Sequence, residues 1–158
     1  MSKSVKRVEQ AAERAGLEIA IVRMPGSTRT AGEAAAACGC LVAQIAKSMI
    51  FEGRVSGALK LLLVSGAHQV ALDQTETLFG EPLARADAKR VRSETGFAIG
   101  GVAPIGHLAP IDTWMDRRLL AHDTIWVAAG APDAVFAVRP DTLRRVIDAR
   151  LFDAPVDG

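Results

Sequence analysis

The sequence predicts an α+β fold: a mixed, strongly curved β-sheet with helices packed around it. Three observations predict it. Helix-period stripes and strand-length apolar runs occur side by side in one chain. They run in the order helix, strand, helix, two strands, helices, several strands and a closing helix. Strict strand–helix alternation, which a doubly wound parallel sheet requires, is absent. The 158 residues are read as one domain over residues 1–158.

Each element has a local cause. Val5, Val8, Ala12 and Ala15 recur at helical spacing, and Gly16 is placed to end that first helix. Leu17 to Val22 reads as a first strand, and Pro-Gly-Ser within Met24 to Arg29 as a turn. Thr30 and Glu33 form a capping box for a helix from Ala31 to Cys38, stopped by Gly39. Leu41 to Ala46 is assigned a short second helix. Lys47 to Phe51 and Ala58 to Val64 read as a strand hairpin turning at Gly53, with the second strand apolar nearly throughout and therefore central. Asp73 with Glu76 is expected to cap a helix over Gln74 to Phe79, and Asp87 another over Ala88 to Glu94, closed by Gly96. Phe97 to Gly106 is a Gly/Pro-rich loop. Thr113 to Leu120 reads as a strand or hairpin arm, and Thr124 to Ala128 and Ala134 to Val138 as strands. Pro140 opens a closing helix with Leu143, Val146, Ile147 and Leu151 on its apolar face.

Composition narrows the function classes. Hydrophobic residues are 49% and charged residues 23% of the chain, which excludes disorder as the main state. Ala58 to Val64, the most apolar stretch, is broken by Lys60 and falls far short of the ~20 residues of a membrane span. The N-terminus lacks the apolar core of a secretion signal. Net charge is +1, so any polyanion contact rests on a local patch. Cys38 and Cys40 are too close for a disulfide scaffold and read as reduced thiols of a cytoplasmic protein. His68, His107 and His122 are scattered, with no zinc-type spacing, and His68 and His122 read as structural. There is no Gly-x-Ser-x-Gly elbow and no phosphate-binding Gly-Lys-Ser/Thr loop.

Two features carry chemistry. Lys47 lies in Gln-Ile-Ala-Lys-Ser-Met-Ile-Phe, a strand apolar on both faces. A lysine there either snorkels out at the strand end or serves an anionic ligand. The loop Phe-Ala-Ile-Gly-Gly-Val-Ala-Pro-Ile-Gly contains Gly100, Gly101, Pro104 and Gly106, followed by His107. Adjacent glycines let main chain approach a ligand, and such a loop can present N–H and C=O groups as a fixed polar frame. A plain structural turn is the alternative for the loop, and a surface lysine the alternative for Lys47.

Three segments together resemble the YbaK/ProX family of aminoacyl-tRNA editing domains. They are Thr30-Ala-Gly-Glu-Ala-Ala through Gln44-Ile-Ala-Lys-Ser-Met-Ile-Phe, Thr95-Gly-Phe-Ala-Ile-Gly-Gly-Val-Ala-Pro-Ile-Gly-His, and Thr124-Ile-Trp-Val-Ala-Ala-Gly. The resemblance spans about Ser4 to Phe152. It implies a partly barrel-like mixed sheet ringed by helices. It implies hydrolysis, without a metal or other cofactor, of the ester joining a wrong amino acid to the 3′-CCA end of tRNA. It further implies a role in translation fidelity and a transient association with an aminoacyl-tRNA synthetase. Lys47 matches the family's functional lysine, and Gly100 and Pro104 match the ends of its Gly-x-x-x-Pro loop. Lys47 and Gly100 are therefore the expected catalytic residues. Thr30, Ser48, Met49, Gly101, Pro104, Gly106, His107, Ala128 and Gly130 are expected to contact substrate. Met49, Phe51, Ile105 and Ala128 are candidate pocket walls, and Lys89, Arg90, Arg92, Arg117 and Arg118 candidate phosphate contacts. Where the cysteine-specific branch carries serine and aspartate, this chain has Ala128 and Val135, and it lacks the histidine of the alanine-specific branch. Serine, threonine and alanine stay open as the residue removed. The rival class is a non-catalytic RNA-end or nucleotide-binding module of the same fold.

Overall fold

The structure is a computed structural model that describes residues 2–25 and 30–153. Helix α1 (Lys3–Arg14) buries Val5, Val8 and Ala12 of the predicted stripe, while Ala15 falls at its C-cap and is exposed, and Ser2 caps its first turn. Helix α2 (Ala31–Cys38) has the predicted ends. The Thr30 side chain accepts from the Glu33 N–H, and Gly39 closes the helix in the left-handed region at φ 68°. Helices α3 (Thr75–Phe79), α4 (Ala88–Thr95) and α5 (Pro140–Ile147) follow. Asp87 caps α4, Gly96 ends it, and Pro140 occupies the first turn of α5.

The strands are β1 (Val22–Arg23), β2 (Ala46–Gly53), β3 (Leu59–Ser65), β4 (Leu83–Arg85), β5 (Asp112–Asp116), β6 (Ile125–Ala128), β7 (Ala134–Val138) and β8 (Arg150–Phe152). They form a five-stranded mixed sheet, β4-β2-β3-β5-β8, and a three-stranded sheet, β1-β7-β6. The predicted hairpin is present, β2 running antiparallel to β3 from Ala46–Ser65 to Glu52–Leu59. β5 runs parallel to β3, and β8 parallel to β5. A single parallel bridge between Ile45 and Trp126 joins the two sheets where β2 begins.

β3 is central, as its nearly continuous apolar run predicts, and all seven of its residues, Lys60 included, are buried. Its two faces feed two cores. Leu61 and Leu63 meet Val5, Val8, Phe97, Ile125, Phe136 and Leu143, while Leu62 and Val64 meet Phe51, Phe79, Leu83 and Phe152. Truncating one such leucine to alanine costs about 2–5 kcal/mol.

Several boundaries differ from the sequence reading. Leu17, Ile19 and Ile21 pack against the larger core, but only Val22 and Arg23 find a ladder partner, in β7. Alternation makes that segment extended; pairing decides whether it is a strand. The expected helix over 41–46 shrinks to a 3-10 turn, Val42–Gln44, because Ile45 and Ala46 are drawn into sheet pairing. Asp73 does not cap α3. It sits in a 3-10 turn, Leu72–Gln74, and Gln74 precedes the helix with no side-chain cap. The segment after Asp116 folds into a 3-10 turn, Arg117–Ala121. Leu151 leaves the closing helix for β8, whose three residues carry too short a pattern to read. Of the predicted Met24–Arg29 turn, residues 26–29 lie outside the described residues.

Candidate active site

The site begins at an unpaired stretch of sheet edge. Main-chain groups alternate sides along a strand. On the β3 side, the Gly53 N–H donates to Ala58 O and Ile45 O accepts from the Gly66 N–H; on the other side, the Arg54 N–H donates to Pro82 O. Ser48 and Ile50 share the parity of Arg54, so their N–H and C=O groups turn away from β3. β4 covers that edge only from Phe51 to Gly53. Two cavities open there. One, of about 260 Å³, is lined by Thr30, by Ala31 and Ala34 of α2, by Lys47 and Ser48, by Gly100, and by Trp126, Ala128, Pro132 and Val135. The other, of about 220 Å³, is lined by Ser48, Met49, Ile50, Phe51, Arg85, Ile99, Gly100 and Val102. Ser48 and Gly100 belong to both, so the cavities adjoin. The Ser48 hydroxyl is the single buried side-chain polar atom without a hydrogen-bond partner among the described residues.

Small side chains make the first cavity. The alanines that α2 packs on Ile45 and Trp126 leave room where larger residues would fill it. Ala128 and Val135, where the sequence departs from the cysteine-specific branch, are paired across β6 and β7 and both line this cavity.

The opposite wall is held by α1. Arg7 donates to Gly106 O at 2.8 Å and to Gly96 O at 2.7 Å, and its guanidinium lies 4.6 Å from the centre of the Phe97 ring. A tight turn in which the Gly101 N–H donates to Ala98 O brings Gly100 to the cavities at φ +94°. A Cβ on Gly100 would meet open space, so backbone conformation, not crowding, requires glycine there.

Lys47 is half-buried, and Nζ donates to His68 O at 2.6 Å. Burial pushes the ammonium below the usual lysine range, and the Asp116 carboxylate partly opposes that shift. An ammonium has three donors, so two are left for a ligand.

The structure thus brings Lys47, Gly100, Thr30, Ser48 and Ala128 to one cavity, and Met49 and Phe51 to its neighbour. The other expected contacts lie outside both linings. Gly101 is pressed on the Ala131 main chain, Gly106 on Arg7 O and Gly130 on Ser4 O. Pro104 and Ile105 are buried, Ile105 in the larger core. His107 bonds Ala103 O at 2.7 Å, stacks edge-on against Phe97, and is pushed below the usual histidine range by burial. Arg90 is engaged with Glu52 and Glu94, and Arg117 with Asp153; Lys89, Arg92 and Arg118 are exposed. Sequence reasoning missed Arg85, at the second cavity, and Asp116, which is completely buried. Asp116 stands in sequence beside Arg117 and Arg118, and nothing in that run marks which charge turns inward.

Comparison with known proteins decides the family, because the aminoacyl-tRNA editing domain matches residues 26–146. The chain belongs to the aminoacyl-tRNA editing domain family. A crystal structure described as that of a candidate trans-editing enzyme for prolyl-tRNA synthetase is 42% identical, with a TM-score of 0.91, covering 100% of this chain and 99% of that one. A structure from work on grafting epitopes onto scaffold proteins is 40% identical, with a TM-score of 0.91 over 100% of both chains. The Bacillus subtilis (strain 168) protein YwhH, uncharacterized, is 26% identical over 117 residues, 74% of each chain. Editing domains act on aminoacyl-tRNA, and no helix among the described residues is long and apolar enough to cross a membrane.

Proposed function

We propose that this editing domain is a trans-editing deacylase that hydrolyses the ester of a small, wrong amino acid on the 3′-terminal adenosine of tRNA, without a metal. One observation carries the reading: Lys47, Ser48 and Gly100 line a common cavity in a chain of the editing family. Either cavity alone is smaller than the ~300 Å³ at which ligand pockets usually begin. One takes a small acyl group, and the two together take that group with its nucleoside.

Water adds to the ester carbonyl, the bond to the ribose oxygen breaks, and free amino acid leaves a 3′-hydroxyl. The two free donors of Lys47 face negative charge on the developing oxyanion or the terminal phosphate. Ser48 and Gly100 main chain orients the ester and the water. Burial around Lys47 strengthens its field, because the local dielectric is low. Selection is by size. The walls at Ala31, Ala34, Ala128 and Val135 bring no charge to the cavity, so larger amino acids are excluded by bulk.

The test is a panel of Ala-, Ser-, Thr- and Cys-charged versions of several tRNAs. Turnover releases free amino acid well beyond the enzyme concentration, whereas a binding module protects the ester. Lys47→Ala lowers hydrolysis on the order of 10²–10³-fold with an unchanged circular dichroism spectrum. Wild-type rates in that variant reject the role given to Lys47.

A further inference from the structure

Asp116 is 0% exposed at the end of β5, and its carboxylate is fully engaged. Oδ1 accepts from the Arg118 N–H at 3.1 Å. Oδ2 accepts from the Ser65 N–H at 3.1 Å and lies 3.1 Å from His68 Nδ1. A carboxylate only accepts, so this contact calls for the His68 tautomer with the proton on Nδ1. His68 is therefore pinned through its ring to a buried anion, while its main-chain carbonyl receives the Lys47 ammonium at 2.6 Å. A chain of contacts runs from the interior of the sheet to the lysine of the cavity.

We propose that Asp116 and His68 are positioning residues. Asp116 locks the His68 segment so that its carbonyl holds Lys47, and sets a buried carboxylate behind that contact. Neither residue lines the cavities, so both act through Lys47. Across the ladder Lys47 faces Val64, and Met49 is the next residue on its own face; neither carries a charge. The titratable groups linked to it among the described residues are His68, on the segment after β3, and Asp116, on β5. Arg118 reaches Asp116 with its main-chain N–H, and Arg117 is engaged with Asp153. The inference rests on the deacylase reading and deepens it.

The experiment measures kcat/KM against pH on a mischarged tRNA that the wild-type protein hydrolyses. Asp116 favours the charged form of Lys47, so Asp116→Asn moves the alkaline limb of the profile to lower pH. It also lowers the maximum about 10–10²-fold, the effect of a misplaced catalytic group. In a Lys47→Ala background the same change has no further effect. His68→Ala reproduces the loss, and His68→Asn, whose amide N–H can replace Nδ1–H, restores much of it. If Asp116→Asn fails to fold, the His68 pair decides. An unmoved alkaline limb in a folded Asp116→Asn, an equal loss with and without Lys47, or a fully active His68→Ala overturns the proposal. Full activity in Lys47→Ala instead overturns the deacylase reading itself.

Discussion

Lys47 shows how one side chain acquires a function from its surroundings. On a surface strand it is a solvated cation. Here it sits between apolar neighbours with one carbonyl partner and two donors to spare. Glycines show the converse, where the backbone chooses the residue. Gly130 has φ +99°, and a Cβ would come within 2.8 Å of Ser4 O, which belongs to the helix that also braces the Gly100 loop. Gly130→Ala is therefore expected to destabilise the fold by more than about 1 kcal/mol, read as a lower urea midpoint with an unchanged slope. At this scale much was legible. Thr30, Gly39, Asp87, Gly96 and Pro140 take the roles that local chemistry assigns them. Asp73 does not, because a cap needs a helix beginning right after it, and the chain enters α3 through a 3-10 turn.

Among the elements, β5 is held between β3 and β8 partly by charge. Asp112 accepts from Lys60 at 2.8 Å, from Arg150 at 2.7 Å and from Trp114 at 3.1 Å. Burial works against its ionisation, but these donors outweigh it and hold the carboxyl below its ordinary value. A carboxyl lowered on folding stabilises the protein above its unfolded pKa, and that contribution is lost as pH falls through the folded one. Unfolding midpoints between pH 7 and pH 3 should fall with acid, and Asp112→Asn should flatten part of that fall. An acid limb unchanged in the variant assigns the loss to other carboxyls. The elements that were legible carry long patterns, such as α1 and β3. Those that were not, β4 and β8, have three residues each and exist because an edge was free to pair.

On the scale of the molecule, the candidate site is a gap between sheets. β2 and β6 meet through one bridge at Ile45 and Trp126, and past it the β2 edge stays open toward the Gly100 loop. The gap persists because α2 faces it with Ala31 and Ala34, and β6 and β7 face it beside Trp126 and Val127 with the small Ala128, Ala134 and Val135. Ala128→Phe should fill it, lowering deacylation on the order of 10²-fold while the thermal midpoint stays close to wild type. Full activity in that variant would place the substrate elsewhere.

Sequence alone determined the α+β class, the β2–β3 hairpin, most helix ends, and Lys47 with Gly100 as the residues to watch. Each depends on neighbours within a few positions or on a motif that resembles a family. Tertiary structure decided which of the singled-out residues share a space. Gly101, Gly106, Gly130 and His107 lie close to Gly100 or Ala128 in sequence, yet Gly101 packs against the β6–β7 turn at Ala131, Gly106 and Gly130 against α1, and His107 against its own loop. Asp116 and His68, 48 residues apart, meet behind Lys47. Pairing across a sheet is set by register between distant segments, and periodicity within one segment carries no information about it.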